Sequence, residues 1–380
     1  MPMNVEGLVI GGGPAGLAAA AEAARYGVEV MLVDERKIVG PAAEVTMLTS
    51  SLAWGIFPGG IVGVVTPGES LDVAPGITII ATGAQDRLLP FPGWEHPSVV
   101  TAAEALELTC ATSTRLRWIV AGIGEIGAQT VLALRELGHQ VVAYVDVLGA
   151  DGDVSGSMGA LHDGSRQADF LCLACGRQPL NELAWLSGCA MEHRPDRGGY
   201  VPVLTDFVAT SADGVLVAGD AAGLCGPETA ALEGQLAGLV AAERTGRIAR
   251  PEAAARRRAL LEDVRAARER DQASLAAWVP MMWEAEDRYV RAALAQPDTL
   301  LCRCEQVTGR QVRAAVDDGA LTPGDVKRST RAGMGECQGR HCRPLIARAV
   351  SVLTGLTVHE ASPLSFRPPV RPVPVAQLIT

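Results

Sequence analysis

Residues 5–34 read VEGLVIGGGPAGLAAAAEAARYGVEVMLVD, and this stretch decides the fold class. An apolar run, Val5 to Ile10, leads into a glycine loop and then into an Ala-rich helical stretch that reaches Tyr26. A second apolar strand, Val28 to Val33, ends in Asp34. The order of strand, glycine loop, helix, strand and acid is that of a βαβ unit that holds a dinucleotide. The sequence therefore predicts an α/β fold that opens with such a unit.

The glycine loop has the spacing G-x-G-x-x-G. Its first glycine allows the tight turn, its second lets the backbone approach a pyrophosphate, and its third lets the helix pack closely on the strand. The acid after the second strand is placed to accept hydrogen bonds from a ribose hydroxyl. An ordinary glycine-rich turn is the competing interpretation. The predicted dinucleotide contacts are Gly11, Gly13, Pro14, Ala15, Gly16, Asp34 and Glu35.

Two later segments indicate FAD as the dinucleotide. A strand at Ile77–Ile80 runs into Ala81-Thr82-Gly83-Ala84, and a strand at Val215–Ala218 runs into Gly219-Asp220. They resemble the A-T-G and G-D motifs of flavoproteins with two dinucleotide-binding domains. By that resemblance Thr82, Gly83 and Gly219 line the FAD site and Asp220 holds a ribityl hydroxyl. The helix from Pro227 would aim its positive end at the pyrophosphate. Asp220 as a plain turn residue is the alternative.

A second G-x-G-x-x-G follows a strand at Trp118–Ala121 and precedes a helix that reaches Leu137. The next strand, Gln140 to Val145, ends in an acid, which favours a free 2′-hydroxyl and therefore NAD over NADP. The stretch from Leu148 to Ser165 is rich in Gly, Asp and Ser, so this inserted domain is short. NAD, ATP, FMN or no ligand at all stay open for this site. Its candidate contacts are Gly122, Gly124, Gly127 and Asp146.

Four cysteines near the C-terminus form a C-x-C pair, Cys302 and Cys304, and a C-x4-C pair, Cys337 and Cys342. Four thiolates suit either a tetrahedral zinc ion or a [2Fe–2S] cluster. Zinc sites favour C-x2-C pairs, and a flavin in the same chain gives a one-electron carrier a purpose, so we predict [2Fe–2S] over zinc or an unfilled site. Cations that would raise the potential of the cluster are close in sequence: Arg303, Lys327, Arg328, Arg340 and Arg343.

A further C-x-x-C pair, Cys172 and Cys175, has the spacing of a redox dithiol. It lies in an apolar run that reads as a buried strand, where cysteine behaves as a small hydrophobic residue. We interpret this pair as structural.

Composition limits the possible functions. The chain has 380 residues, a net charge of −10 and no run of about 20 apolar residues. The acidic balance argues against nucleic acid as a partner, and no membrane span is predicted. The N-terminus enters a strand without the pattern of a secretory signal, and nine cysteines point to a reducing compartment. These features predict a cytoplasmic protein.

With both halves in view, the chain resembles the α (flavin-containing) subunit of heteromeric amino-acid dehydrogenases and oxidases. That group includes opine oxidases, D-hydroxyproline dehydrogenase, hydrogen cyanide synthase and dye-linked proline dehydrogenase. The cysteine unit resembles the [2Fe–2S] domain of bacterioferritin-associated ferredoxin (BFD). Besides the two FAD motifs, the resemblance rests on residues 84–87 (AQDR), 91–94 (FPGW), 302–305 (CRCE), 333–342 and the tail 367–374 (RPPVRPVP). Relative to the family, residues 35–76 and the insert after Val147 are shortened.

The resemblance implies a division of labour. In that family a β subunit with its own FAD, similar to amino-acid oxidases, oxidises the amine, and a small ferredoxin-like γ subunit is a further expected partner. This chain then passes electrons from the partner flavin through [2Fe–2S] and FAD to an acceptor within a hetero-oligomer. The substrate class would be an imino acid, an opine or a glycine-like amine. No catalytic acid, base or nucleophile set is evident in this chain.

Two other functions stay open at this point. One is a self-contained NADH-dependent reductase with FAD and [2Fe–2S], favoured by the second glycine motif. The other is a scaffold subunit with degenerate nucleotide sites. We predict two Rossmann-like domains of the glutathione reductase type, the second inserted in the first, and a small helical cluster domain. The predicted segments are FAD domain 1–112 and 205–247, insert 113–204, helical connector 248–297, [2Fe–2S] domain 298–355 and tail 356–380.

Overall fold

The structure is a computed structural model that describes residues 1–37, 40, 44–149, 154–157, 168–361 and 365–378. The described chain forms two compact units, each built from separate chain segments. Unit 1 comprises Met1–Ala84, Gln178–Leu275 and Phe366–Thr380, and unit 2 comprises Gln85–Arg177 and Ala276–Ser365. These units do not coincide with the six predicted segments, whose boundaries stay a prediction.

Strands predominate in the N-terminal half of the chain, and helices predominate after residue 227. The elements of the N-terminal half are β1 Met3–Ile10, α1 Pro14–Arg25, β2 Val30–Val33, β3 Val45–Leu48, β4 Leu52–Ile56, β5 Val62–Val65, β6 Ser70–Ile80, β7 Ala84–Asp86, β8 Val99–Thr101, α2 Ala102–Ala111, β9 Arg117–Gly122, α3 Gly124–Glu136, β10 Gln140–Asp146, β11 Phe170–Ala174 and β12 Arg177–Pro179. Those of the C-terminal half are α4 Glu182–Leu186, β13 Met191–Arg194, β14 Gly199–Pro202, β15 Val215–Val217, α5 Pro227–Arg244, α6 Arg250–Ala295, β16 Leu300–Cys302, β17 Val307–Thr308, α7 Gly309–Asp317, α8 Pro323–Thr330, α9 Cys342–Thr354 and α10 Val358–Ala361.

Unit 1 is organised by a seven-stranded sheet. Six of its strands lie in the order β3-β2-β1-β6-β5-β4, and the seventh, β15, pairs with β6. The strand β6 pairs with β1 along its length, with antiparallel β5 near its start and with parallel β15 at its end. The segment Leu8, Val9 and Ile10 of β1 is buried on both faces, as expected for a central parallel strand covered on both sides. The carboxyl ends of β1, β2, β6 and β15 therefore lie at one edge of the sheet.

Two helices cover one face of this sheet. The helix α1 begins at the glycine loop, with Pro14 in its first turn, and packs against α5. The contact is between backbones: a Cβ atom on Gly234 of α5 would lie 2.1 Å from the carbonyl oxygen of Ala15. Small residues on both helices let α5 pack closely against α1, although the two helices are far apart in sequence.

Unit 2 contains a four-stranded parallel sheet in the order β10-β9-β11-β8. Its core includes Trp118 of β9, Leu134 of α3 and Cys172 of β11, all of them fully buried. The predicted second βαβ unit, β9-α3-β10, is therefore confirmed. Most of the predicted Gly-, Asp- and Ser-rich stretch from Leu148 to Ser165 lies outside the described residues.

The cysteine-bearing part of unit 2 is a short β-hairpin, β16-β17, followed by three helices. Capping boxes start two of them: Thr308 and Gln311 at α7, and Thr322 and Asp325 at α8. In each, the hydroxyl accepts from the N3 amide and the N3 side chain accepts in return, which fixes where the helix begins.

The predicted helical connector is the 46-residue helix α6, which contains Pro280. A proline inside a helix removes one backbone hydrogen bond. Among the described residues, no helix combines the length and the hydropathy needed to span a bilayer.

Several predicted bounds differ from the structure. β2 begins at Val30 rather than Val28, and β6 is longer than the predicted Ile77–Ile80. The hairpin β4-β5 was not predicted, because short strands without regular alternation of apolar and polar residues give little periodic signal. The fold class of two Rossmann-like units with a small helical cysteine domain is confirmed.

Candidate functional site: a nucleotide pocket and a four-thiol site

The first glycine loop packs tightly against the backbone that follows β6, whereas the space around its middle glycine is open. Gly11 has φ 108°, and a Cβ atom there would lie 2.2 Å from the carbonyl oxygen of Ala81. A Cβ atom on Gly16 would lie 1.7 Å from the carbonyl oxygen of Gly11. Around Gly13, by contrast, no atom of the described chain lies within 4 Å of the Cβ position. The space that a pyrophosphate needs is therefore present at the middle glycine.

The acid at the end of β2 faces this loop. Asp34 accepts a short hydrogen bond from the Gly12 amide and another from Arg36 Nε at 2.9 Å. Burial acts to raise the pKa of Asp34, but the hydrogen bonds from Arg36 and Gly12 outweigh it, so the pKa is lowered and the group is a carboxylate. The predicted acid thus lies beside the glycine loop as an anion that orders the loop backbone.

An open cavity lies at this edge of the sheet. Four of the predicted site residues line it, namely Gly11, Asp34, Glu35 and Thr82. Its wall also includes Leu180, Glu182 and Arg371, which the sequence did not indicate as site residues.

The A-T-G motif closes one side of the cavity. The Thr82 hydroxyl donates to the carbonyl oxygen of Leu180, and the Leu180 amide donates to the carbonyl oxygen of Gly83 at 2.9 Å. These bonds fix the loop after β6 against the chain that re-enters unit 1. The sequence separation is nearly 100 residues, so the pairing has no local signal.

The G-D motif lies against the start of α1. A Cβ atom on Gly219 would be 2.9 Å from the Cβ of Ala15, so the two motifs lie next to each other. Asp220 accepts a hydrogen bond from the Cys225 amide at 2.8 Å. The start of α5 already has a carboxylate, because the Gly226 amide donates to Asp271 at 2.8 Å. The predicted pyrophosphate role of this helix end stays a prediction.

The residues at this edge fit the adenosine diphosphate half of FAD. The open space at Gly13, the carboxylate at the end of β2 and the cavity beside it are the features that such a ligand requires. A flavin, when bound, exchanges one or two electrons.

The second glycine motif has a different environment. The Gly122 Cβ position lies 2.6 Å from the Cα of Gly127, which confirms the predicted close packing of strand and helix. At the middle glycine, Gly124, the Cβ position lies 3.3 Å from the sulfur of Met281. Asp146 accepts a hydrogen bond from the Leu148 amide at 3.1 Å. The predicted ligand of this motif stays a prediction, and the space at its middle glycine is taken by a side chain of α6.

The four predicted cluster cysteines come together in unit 2. Hydrogen bonds between thiols join Cys302 to Cys342, Cys342 to Cys337, and Cys337 to Cys304. Within the described residues, no three His, Cys, Asp or Glu side chains surround a common point. Four thiols in one place supply the ligands that either a tetrahedral zinc ion or a [2Fe–2S] cluster needs.

Two of the four thiols, Cys302 and Cys337, are poised to ionise. Burial raises the pKa of Cys304, and the hydrogen bonds to Cys302 and Cys337 raise that of Cys342. The hydrogen bond from Cys342, with the Gly333 and Glu305 amides, lowers the pKa of Cys302 to about 6. The same partner, with the His341 amide, lowers the pKa of Cys337 to about 5. Thiolates are the form that binds iron, so this donor set fits the cluster.

Glycines and arginines shape the loop that carries Cys337 and Cys342. A Cβ atom on Gly335 would lie 2.4 Å from the Cβ of Cys304, so only glycine fits there. Arg340 donates to the carbonyl oxygen of Cys337 at 3.1 Å, and Arg343 donates to that of Gln338 at 3.3 Å. Arg340 and Arg343, two of the five predicted cations, therefore bind the loop directly.

Sequence reasoning missed the roles of two residues near the thiols, Gln85 and Trp94. Gln85 donates to the carbonyl oxygen of Arg340 at 2.8 Å, and Trp94 Nε1 donates to that of Leu300 at 2.8 Å. Among the described residues, the buried Nδ1 of His341 has no hydrogen-bond partner. Gln85 and Trp94 belong to the segments 84–87 and 91–94, which carry the family resemblance. That resemblance is the sequence signal that could have pointed to them.

The second dithiol, Cys172 and Cys175, is buried at the end of β11. Burial raises the pKa of both thiols far above the ordinary value for cysteine. The predicted burial of this pair is confirmed, and its structural role stays a prediction.

Comparison with known proteins agrees with both sites. The family described as BFD-like [2Fe-2S] binding domain matches residues 300–351, and the family described as FAD dependent oxidoreductase matches residues 7–52. The chain is thus an FAD-dependent oxidoreductase with a [2Fe–2S] domain, as predicted.

Full-length relatives support the resemblance seen in the motifs. The chain is 26% identical to an opine oxidase subunit from Agrobacterium tumefaciens, over 98% of this chain and 90% of that protein. It is 27% identical to hydrogen cyanide synthase subunit HcnB of Pseudomonas aeruginosa, over 98% of both chains. The fold matches L-proline dehydrogenase from P. horikoshii with a TM-score of 0.78 at 22% identity, covering 100% of this chain and 80% of that one.

Proposed function

We propose that the chain is the electron-transferring subunit of a heteromeric amino-acid dehydrogenase or oxidase. It would act beside a catalytic subunit that oxidises an amine such as an imino acid, an opine or glycine. The relatives that match over nearly the whole chain are named as subunits of opine oxidase and hydrogen cyanide synthase, which supports this assignment.

The combination of two redox sites in one chain carries the proposal. The nucleotide pocket contains Gly11 and Asp34, and the thiol site contains Cys302, Cys304, Cys337 and Cys342. A chain with both groups is equipped to accept two electrons and release them singly.

The chain's own residues have three roles in this proposal. The glycine loop and Asp34 bind and orient the adenosine half of FAD. The amides of Gly333, Glu305 and His341 donate to thiol sulfurs and stabilise their charge. Gln85 and Trp94 hold the segments that carry the cysteines by bonding to backbone carbonyls.

The proposal is tested by producing the chain alone and by isolating it together with the proteins that co-purify with it. Candidate amines are mixed with each preparation, and reduction of a dye and bleaching of the partner flavin are followed separately. We expect the isolated chain to be inert and the complex to reduce the dye. In the complex with Cys304→Ser, bleaching of the partner flavin should persist while dye reduction is lost.

Two results would contradict the subunit role. One is oxidation of an amino acid by the isolated chain at the rate of the complex. The other is a complex in which Cys304→Ser leaves dye reduction unchanged although its iron is lost. Cys110→Ser, at an exposed cysteine outside the cluster set, is the matched control and should change neither readout.

A further inference from the structure

The C-terminal tail is packed into unit 1 beside the nucleotide pocket. A Cβ atom on Gly55 of β4 would lie 2.8 Å from the Cβ of Pro368, so the tail lies directly on this strand. The Val370 amide donates to the carbonyl oxygen of Trp54 at 2.9 Å, and the Val370 side chain is buried in the sheet core. The backbone of residue 371 is thus fixed by its neighbour.

This packing places the Arg371 guanidinium in the wall of the cavity that contains Gly11, Asp34 and Glu35. Its side chain is only 15% exposed. Nε lies 3.6 Å from the Glu35 carboxylate, and among the described residues the buried Nη1 has no hydrogen-bond partner.

A buried guanidinium nitrogen without an acceptor is unfavourable, because it has lost its hydrogen bonds to water and makes none to the protein. The neighbouring Asp34 carboxylate already accepts from Gly12 and Arg36. The described residues supply no acceptor to Nη1, so a ligand that enters the cavity is placed to supply one.

We propose that Arg371 is a nucleotide-binding residue whose Nη1 donates to the adenosine half of FAD. The tail is then the wall that completes this half of the cofactor site. Adenosine offers ring nitrogens and ribose oxygens as acceptors, whereas the isoalloxazine end binds elsewhere. The proposal rests on FAD occupying this pocket but does not depend on a partner subunit.

Loss of one hydrogen bond from a charged donor corresponds to about a 10- to 100-fold loss of affinity. We expect Arg371→Ala to weaken FAD binding to the flavin-depleted full chain by that factor. Lysine keeps the charge but not the planar fork, so Arg371→Lys should recover only part of the loss. Arg367→Ala, at an exposed arginine of the same tail, is the matched control and should bind FAD as the unchanged chain does.

Separate ligands show which half of the cofactor Arg371 contacts. ADP binding should fall in Arg371→Ala by the same factor as FAD binding, while FMN binding should not change. Thermal unfolding of the flavin-free variants reports whether the tail stays packed. Equal FAD and ADP affinities in Arg371→Ala and the unchanged chain would overturn the proposal, and so would a loss shared equally by FMN. If the chain bound FAD normally but had no partner, the proposed function would fail and this inference would stand.

A second, independent observation concerns α6 in unit 2. This helix passes over the loops that follow three parallel strands. Met281 lies 3.3 Å from the Cβ position of Gly124 after β9, and Met282 lies 2.6 Å from that of Gly176 after β11. Arg288 approaches the carbonyl oxygens of Val147 and Leu148, after β10, at 3.5 and 3.4 Å.

In open parallel sheets, ligands bind in the crevice at these carboxyl ends. The two glycine motifs of the chain give a direct contrast. The middle glycine of the first, Gly13, faces open space, whereas the middle glycine of the second, Gly124, faces Met281. The Met282 side chain is fully buried, so it cannot leave without exposing apolar surface.

We infer that the second glycine motif takes no dinucleotide, because α6 occupies the place where one would lie. The glycines of this motif let β9 pack closely on α3. The crevice beside them holds α6 in place. NADH then has no site in unit 2 from which to deliver a hydride.

Hydrogen exchange of the flavin-loaded chain tests this inference. NADH, ATP or FMN, each added at about 1 mM, a concentration that fills even weak sites, should give no new protection at residues 122–127. Addition of FAD to flavin-depleted protein should protect residues 11–16 and serves as the positive control. Protection of residues 122–127 by any of the three ligands, weakened in Asp146→Asn, would overturn the inference.

Discussion

At the scale of single residues, the same side chain has opposite chemistry in different surroundings. Cys172 and Cys175 are buried in unit 2, where the loss of water raises the pKa of each thiol. Cys302 and Cys337 receive amide and thiol hydrogen bonds, which lower the pKa of each. The spacing C-x-x-C is therefore a weaker guide than the environment of the sulfur.

We predict that Cys172 and Cys175 are not alkylated in the folded protein. At about pH 8 a thiol with a raised pKa has almost no thiolate, and both sulfurs are buried. Iodoacetamide labelling followed by peptide mass mapping should modify the exposed Cys110 within minutes and leave this pair unmodified.

Unfolding the protein before labelling is the control, and all cysteines should then react. Rapid labelling of Cys172 or Cys175 in the folded chain, with activity retained, would show that β11 opens or that the pair is reactive.

At the scale of elements, α6 contributes a buried carboxylate to an ion network in unit 2. Glu286 pairs with Arg87, and its other oxygen lies 3.5 Å from Arg348 of α9. The Arg87 guanidinium also lies 4.4 Å from the ring centre of Trp283. The side chains of Arg87 and Glu286 are 4% and 3% exposed, so neither charge is solvated by water.

Replacing Glu286 by glutamine should destabilise unit 2. The amide keeps the shape but leaves Arg87 without its countercharge, whereas Arg348 still has Asp287 at 3.8 Å. Loss of one partner of a buried pair costs about 3–5 kcal/mol. Urea unfolding of the full chain, followed by tryptophan fluorescence, measures the change.

Glu284→Gln, at an exposed position on the same helix, is the matched control, and we expect it to change stability by less than about 0.5 kcal/mol. Equal midpoints for the two variants would mean that Glu286 is not the countercharge of Arg87.

Sequence reasoning succeeded where the signal is local. The first glycine motif, its strand and its helix are contiguous, and their order alone indicates a βαβ unit. The four cluster cysteines were found from spacing. What could not be predicted joins distant segments: Gln85 with Arg340, Met281 with Gly124, and Arg371 with the pocket of Gly11. Such contacts form only when distant segments are brought together by the fold, and the local periodicity of the sequence does not reveal them.

At the scale of the whole molecule, the two redox sites are built from residues of different compact units. The FAD pocket draws on unit 1 and the four thiols on unit 2. Loss of one cofactor should then leave the binding of the other intact.

We predict this separation in two variants. Cys304→Ser should lower iron and acid-labile sulfide while FAD content is unchanged, because one cluster ligand is lost. Gly13→Ala should lower FAD content while iron is unchanged, because its methyl group enters the open space at the loop. Both contents are measured on the same anaerobic preparation.

The circular dichroism of both variants should match that of the unchanged chain, since Gly13 has an ordinary φ of −79° and Cys304 is exposed. Loss of both cofactors in either variant would show that the sites are filled only together.

The threading of the chain has a consequence for biosynthesis. The core around Leu8 and Ile10 also contains Val217 and Val370, so unit 1 is assembled from the beginning, the middle and the end of the polypeptide. During translation, the apolar faces of β1 and β6 stay exposed until Val217 and Val370, far later in the sequence, have been synthesised. Nascent chains with such exposed surface are prone to aggregate, and a stop codon only a few codons before Val370 would leave that core incomplete.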